Sequence, residues 1–355
     1  MSNRLINILV PVISVILGLI VGAVIMLVSG YNPIEGYAAL WEGILGDSYY
    51  LGETIRQITP YILAGLAVAF AFRTGLFNIG VEGQLLIGWV VAVWVGINFE
   101  GLPKFIHLPM AIIAAGLAGA FWAFIAGVLK AKFSVHEVIG TIMMNYIALH
   151  ITNAFVKWMA NGADKTERIH ESASLASPFL QNLTDYSRLH WGFIIALAFV
   201  VLMWFILEKT TRGFELKAVG FNQNAAEYAG MSVNKNIILA MTISGVFAGV
   251  AGSMEALGTF GYATFRAANT GIGFDGIAVA LLGANAPLGV LFGAILFGSL
   301  KQGALNMPNA AGIPMEIVSI IIAVIILFVA SGYVIRVFLE KMNKKKKSDV
   351  VKEGK

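Results

Sequence analysis

Two carboxylates stand at matching places in two copies of one short motif. Phe72-Arg73, five residues and then Ile79-Gly80-Val81-Glu82-Gly83 open one apolar segment. Phe265-Arg266, five residues and then Ile272-Gly273-Phe274-Asp275-Gly276 open another. A carboxylate in the first turn of a helix satisfies free backbone N–H groups and the positive helix end. In apolar surroundings it is also costly, which makes it a candidate for lining a water-filled path or locking two halves together. Glu82 and Asp275 admit both readings, with Phe274 beside Asp275. Asn78 and Asn145 add amides to apolar stretches, where they can bind a polar solute or tie helices together. These five residues form the candidate path set.

The chemistry of a catalyst is missing from the chain. No G-x-x-x-x-G-K-[ST] loop occurs, so nothing cradles the phosphates of ATP, and no cofactor is expected on this chain. His136-Glu137 begins like a zinc-protease motif, but Gly140 stands where the second His is required. Five scattered His and no Cys offer no metal cluster, and the absence of Cys excludes disulfides and a lipid-modified N-terminal Cys. No nucleophile, base and orienting group fall together, so neither catalytic nor metal residues are assigned.

The elements that must position the path set are apolar helices. Of 355 residues, 58% are hydrophobic and 12% charged, with a mean hydropathy of +0.80. Soluble proteins carry about 25% charged residues, so the chain reads as an all-α polytopic membrane protein. The expected spans are 6–28, 54–72, 81–97, 109–129, 135–158, 191–207, 237–257, the short run 276–283, 288–305 and 316–336. That makes about ten, with broken helices around 73–80 and 258–286. Pro60 opens the second span, and Gly245-x-x-x-Gly249 offers a face for close backbone approach. The segment from Tyr31 to Glu53, with Glu35, Trp41, Glu42, Asp47, Tyr49 and Tyr50, reads as an external interfacial stretch whose carboxylates could meet a basic partner, or as an interfacial helix with no partner. The stretch 160–190 reads as an external loop. The basic run Lys344–Lys347, within a 337–355 tail, suits a cytoplasmic end touching anionic headgroups. The net charge of +4 is concentrated there and is no sign of nucleic-acid binding. Lys and Arg bias places both termini in the cytoplasm. About five spans separate the two motifs, so they face opposite sides, the pattern of an inverted repeat with halves near 54–158 and 237–336.

Between two of these spans lies a polar island, 208–235, holding Lys209, Arg212, Lys217 and Lys235. A basic loop of this kind belongs in the cytoplasm. Residues 224–230 suit a short helix, with Asn224 placed to cap it and Gly230 to end it. The adjacent Ala225 and Ala226, with Ala229, would leave one face flat enough for another protein's groove.

The pattern Ala225-Ala226-x-x-x-Gly230 resembles the coupling loop of ABC importer permeases, whose fuller form begins with Glu where Asn224 stands. The stretches 72–88, 136–148, 244–252 and 273–290 resemble the nucleoside and simple-sugar branch of that family, and a close relative would be a permease of a Gram-positive nucleoside importer. The resemblance implies a single transmembrane permease domain in a bacterial cell membrane that forms a path for nucleoside uptake. It implies that Arg212, Gly213, Asn224, Ala225, Ala226, Ala229 and Gly230 couple it to a cytoplasmic ATPase that binds ATP and Mg. A second permease subunit, identical or related, and an external substrate-binding (lipo)protein complete the expected partners, beside membrane lipids. A ribose-type sugar importer is the alternative, and a self-sufficient secondary transporter or channel the competing class.

Overall fold

A computed structural model describes residues 3–332, and every described element is helical apart from two isolated bridges. The helices are α1 (Asn3–Val28), α2 (Pro33–Leu45), α3 (Ser48–Arg73), α4 (Val81–Asn98), α5 (Lys104–Phe133), α6 (Glu137–Met159), α7 (Pro178–Leu183) and α8 (Gly192–Lys209). There follow α9 (Thr211–Phe221), α10 (Gln223–Tyr228), α11 (Val233–Met254), α12 (Ile272–Leu282), α13 (Pro287–Ala304), α14 (Met307–Ala311) and α15 (Met315–Ala330). Seven of these helices are long and apolar enough to cross a membrane, and three shorter apolar ones lie at Val12–Val28, Ile272–Leu282 and Met315–Phe328. The last span continues in sequence to Arg336, and that end and the tail with Lys344–Lys347 lie outside the described residues.

The chain divides into two units. One joins Met1–Gly46 to the stretch from Leu300 onward. Here α1 packs on α15 through small residues: Gly18 lies against Ile325 and Gly22 against Ile321. The Tyr37 hydroxyl donates to the Leu19 carbonyl, and Asn306 Nδ2 donates to the Ala39 carbonyl at 3.0 Å. The segment expected to be one interfacial stretch is two helical pieces. Asn32 caps α2 through Ile34 N–H, and Asp47 caps α3 through Tyr50 N–H, with Gly46 between them.

The other unit, Asp47–Ser299, holds both motif copies. Its centre is α3, α4, α5 and α11, which meet through close backbone approach. A Cβ on Gly249 would fall onto the Ala115 carbonyl, and one on Gly88 onto Gly249 itself. The Gly245-x-x-x-Gly249 face is therefore used as expected, against Gly119 and Ala115 of α5. The helix α11 does not end at Met254 but loosens into a π-helical turn, Glu255–Phe260, closed by Gly261 at φ +71°. Such turns recur at functional sites because the extra residue leaves backbone groups free to be re-paired.

The polar island folds as two helices rather than one. The Thr210 side chain caps α9 through Gly213 N–H at 3.0 Å, and Gly213 packs against the end of α8. The cap of α10 is Asn222, which accepts from Ala225 N–H at 3.0 Å, so Asn224 is not the cap. Gly230, at φ +82°, ends that turn in a conformation that L side chains hold at a cost.

Candidate functional site

The two motif copies meet, N-terminus to N-terminus. Helix α4 leaves this point toward the 160–191 loop, where His170 N–H donates to the Gly96 carbonyl at 3.0 Å. Helix α12 leaves it the opposite way, toward the turn after Leu282, where Arg73 Nε donates to the Asn285 carbonyl at 2.9 Å. Gly75 and Gly220 touch on that same side, which is therefore the side of α9. Each motif also supports the helix opened by the other. Arg73 of the first copy holds the end of α12, and Arg266 of the second lies over the Trp89 ring of α4, 4.2 Å from its centroid. This reciprocity is what the identical spacing in the sequence encodes.

Glu82 occupies the junction. It is fully buried, and its carboxylate caps α12 rather than its own helix. Oε1 accepts from Thr270 N–H, from the Thr270 hydroxyl at 2.6 Å and from Gly271 N–H at 3.0 Å, while Oε2 accepts from Gly273 N–H at 2.7 Å. The Thr270 hydroxyl in turn accepts from Ile272 N–H at 3.3 Å. Gly273 sits directly on the Glu82 backbone, where a Cβ would come within 2.5 Å of Cα. Asp275 behaves differently although it holds the equivalent place in the motif. It is half-buried, and its Oδ2 accepts from the Tyr61 hydroxyl at 3.2 Å.

The amides Asn78 and Asn145 are buried and hold the approach to α4. Asn78 Oδ1 accepts from Gly80 N–H at 2.9 Å, and its Nδ2 donates to Ser244 Oγ at 2.8 Å. Asn145 Oδ1 accepts from Gly83 N–H at 2.9 Å, and its Nδ2 donates to the Ile79 carbonyl at 3.0 Å. Eight residues further along α6, Asn153 does the same for the second copy, pairing with both backbone groups of Arg266 at 2.8 and 2.9 Å. Asn153 carried no site signal in the sequence: eight residues beyond Asn145, it lies about 80° round the helix from it. Of the five candidate path residues, then, Asn78, Glu82 and Asn145 are interior hydrogen-bonding groups, while Phe274 and Asp275 reach a surface.

A second polar cluster lies near the start of α3. Glu53, expected at an interface, is buried. Its Oε2 lies 2.8 Å from both Arg56 Nε and Arg188 Nη2, and its Oε1 accepts from Arg188 N–H at 2.7 Å. Two arginines on one carboxylate leave it no vacancy for a partner's cation. The Glu53 hydrogen bond, ahead of the opposing desolvation, pushes Arg188 above its usual value. His190 sits beneath. Gly192 N–H donates to its Nδ1 at 3.1 Å, which leaves Nδ1 no room for a proton. Burial, and then the Arg56 charge, push the ring from 6.5 down to about 4. Between those values the unfolded chain binds a proton that the folded chain refuses, so stability is complete above pH 6.5 and is lost as pH falls toward 4. The melting temperature in detergent is expected to fall across that window, and His190→Gln to flatten the fall. Superimposable pH profiles for the two proteins would contradict this.

The residues of the polar island divide between surface and interior. Arg212, Asn224, Ala225, Ala229 and Gly230 are exposed, with Arg212 Nη1 donating to Glu215 at 3.1 Å. Gly213 and Ala226 are buried, Ala226 to 4% exposure, so the flat double-alanine face does not exist as expected. What the island presents instead is aromatic: Phe221 is 89% and Tyr228 95% exposed. Aromatic residues inside a polar segment were the signal that reasoning from the alanines passed over.

A family model described as branched-chain amino acid transport system / permease component matches residues 50–330. The chain is 65% identical to the guanosine ABC transporter permease protein NupP of Bacillus subtilis, over 97% of this chain and 99% of that one. It is 42% identical, over 99% of each, to the nucleoside ABC transporter permease protein NupB of Lactococcus lactis. The glucose ABC transporter permease protein TsgB13 of Haloferax volcanii is 35% identical over 91% of this chain and 87% of that one. A bundle of apolar helices interrupted at two matched motifs, with a polar helix pair between α8 and α11, is thus a transport component, and the chain belongs to the permease family of branched-chain amino acid type ABC transport systems.

Proposed function

We propose that this chain forms the solute path of an ATP-driven nucleoside importer, with ATP hydrolysed by a separate cytoplasmic subunit. The observation that carries the reading is the α9–α10 pair, whose aromatic side chains Phe221 and Tyr228 stand in water on a loop with no packing use for them. Large exposed aromatics on a polar loop are characteristic of protein contact surfaces. The exposed members of the coupling set, Arg212, Asn224, Ala225, Ala229 and Gly230, belong to the same two helices and the turn that follows them. Gly213 and Ala226 act from beneath, by fixing α9 and α10 to the spans. A second permease chain and an external binding protein complete the assembly. Nucleosides are favoured by the two relatives of highest identity given above, and a simple sugar by the third.

In this reading the Glu82 junction locks the two halves, while Phe274 and Asp275 face the solute. ATP-driven movement of α9 and α10 reaches the junction through Gly220, which touches Arg73 and Thr74 at the start of the first motif. Uptake of labelled nucleoside into vesicles holding the permease pair, ATPase and binding protein tests the proposal. Equal uptake by this chain alone, without ATP, would establish a self-sufficient carrier instead.

Both termini and the 208–235 loop are assigned to the cytoplasm, and 160–190 to the exterior. The chain has no cysteine, so single cysteines report cleanly. A Cys at Asn222 is expected to resist an impermeant thiol reagent in intact cells and to react after permeabilisation, with a Cys at Tyr186 doing the reverse. Labelling of the Asn222 position from outside overturns the topology.

A further inference from the structure

The stretch from Phe265 to Gly271 runs without helical structure from the loop side into the middle of its unit. Thr264 is bridged to Lys165 at the loop, Arg266 is held by Asn153, and Thr270 and Gly271 end on Glu82. Asn145, which holds the approach to α4 at this level, lies 14 residues before the end of α6, or about 21 Å down the helix. Phe265, Ala267 and Ala268 are nevertheless exposed. Irregular backbone at bilayer depth cannot face lipid, since its polar groups would go unpaired, so it borders protein or a water-filled cavity. The next exposed side chain along the same wall is Phe274, and buried Asn269 Oδ1 has no hydrogen-bond partner among the described residues.

A half-helix N-terminus at such a place ordinarily draws the negative group of a solute. Here most of that end is already taken. The N–H groups of Thr270, Gly271 and Gly273 go to Glu82, and that of Ile272 goes to the Thr270 hydroxyl. Arg266, the cation of this segment, lies over Trp89 under the influence of the Glu255 and Glu82 charges. A solute carboxylate or phosphate would find the Glu82 charge and, from this helix end, only the Phe274 N–H without a hydrogen-bond partner among the described residues. The wall offers instead an aromatic face, Phe274, and the half-buried carboxylate of Asp275.

We infer that Glu82 is a resident anion that fills the anion site of α12 and restricts this wall to uncharged ring solutes bearing hydroxyl or N–H donors. The inference deepens the importer reading and rests on it for the role of the wall. Its test uses the purified permease complex in detergent, followed by melting temperature. Glu82→Ala empties the site, so it should melt lower than wild type and recover, saturably, with formate but not with formamide, while wild type responds to neither. Equal action of formate and formamide on Glu82→Ala, or an equal formate response in wild type, overturns the inference. Glu82→Gln keeps the side-chain volume and removes only the charge. A nucleoside 5′-monophosphate should raise its melting temperature and leave wild type unchanged, whereas stabilisation of wild type by the monophosphate as strong as by the free nucleoside overturns the assignment. These readouts need no uptake. Failure of wild-type vesicles to take up nucleoside with ATP would instead sink the importer reading and leave the filling of the α12 end intact.

Discussion

Phe221→Asp combined with Tyr228→Asp is expected to abolish ATP-dependent uptake while the permease stays folded and monodisperse. Both rings stand almost wholly in water, so removing them costs the fold next to nothing. An aromatic anchor at the centre of a protein interface is worth about 2 kcal/mol or more. Losing two such anchors weakens association by about a thousandfold if the losses add. A charge forced into the contact without a partner adds to the loss. The measurement is the amount of ATPase subunit retained on affinity-purified permease, beside uptake in vesicles. Full retention of the ATPase and normal uptake by the double variant would remove α9–α10 as the contact. Ala226→Asp is the wrong probe for this surface, because Ala226 is buried and its replacement would disturb α10 itself.

Gly273→Val is expected to stop uptake by the opposite route, from inside the bundle. Any Cβ at this position falls onto the backbone N and Cα of Glu82, which cannot swing aside as a side chain can. Overpacking of this kind costs about 1–3 kcal/mol, or more where backbone must move. The strain falls where α12 meets α4, so the four hydrogen bonds of Glu82 are broken or lengthened. Uptake should drop at least about tenfold, since 1.4 kcal/mol already corresponds to that factor. Gly140→Ala is the control, because there the nearest atom to a new Cβ is a Val135 methyl at 3.6 Å. Wild-type uptake by Gly273→Val at normal membrane levels would show that the junction tolerates separation.

Much of this arrangement could be read from the chain, and the unread part has identifiable causes. The motif pair and its spacing announced that Glu82 and Asp275 belong to matched helix starts. What spacing could not supply was the partner: the groups Glu82 binds lie 188 to 191 residues away. The two carboxylates then diverge: Glu82 takes the N–H groups at the start of α12, whereas Asn78 and Asn145 already take those of Gly80 and Gly83 at the start of α4, and Asp275 meets the Tyr61 hydroxyl instead. In the polar island, Asn222 and Asn224 are equally able to cap a helix. A shift of two residues turns the following face by about 200°, which sends Ala226 inward and leaves Tyr228 outside. The first helix of the island was legible in principle, since Gly213, Leu216 and Val219 recur at intervals of three and are all buried. The charges around them concealed that stripe. Nothing in the sequence marked the π-turn at Glu255–Phe260, because no residue preference distinguishes it from ordinary helix.

Helix α6 has a mechanical role that follows from its two asparagines. Asn145 grips the start of α4 and Asn153 grips the segment feeding α12. They are eight residues apart on a continuous helix, a fixed interval of about 12 Å. A rod clamped at both points resists stretching far more than it resists tilting. Helices α4 and α12 therefore cannot telescope past one another along the rod while both grips hold. The relative movement that both grips leave open is a pivot about α6, like two leaves hung on one pin.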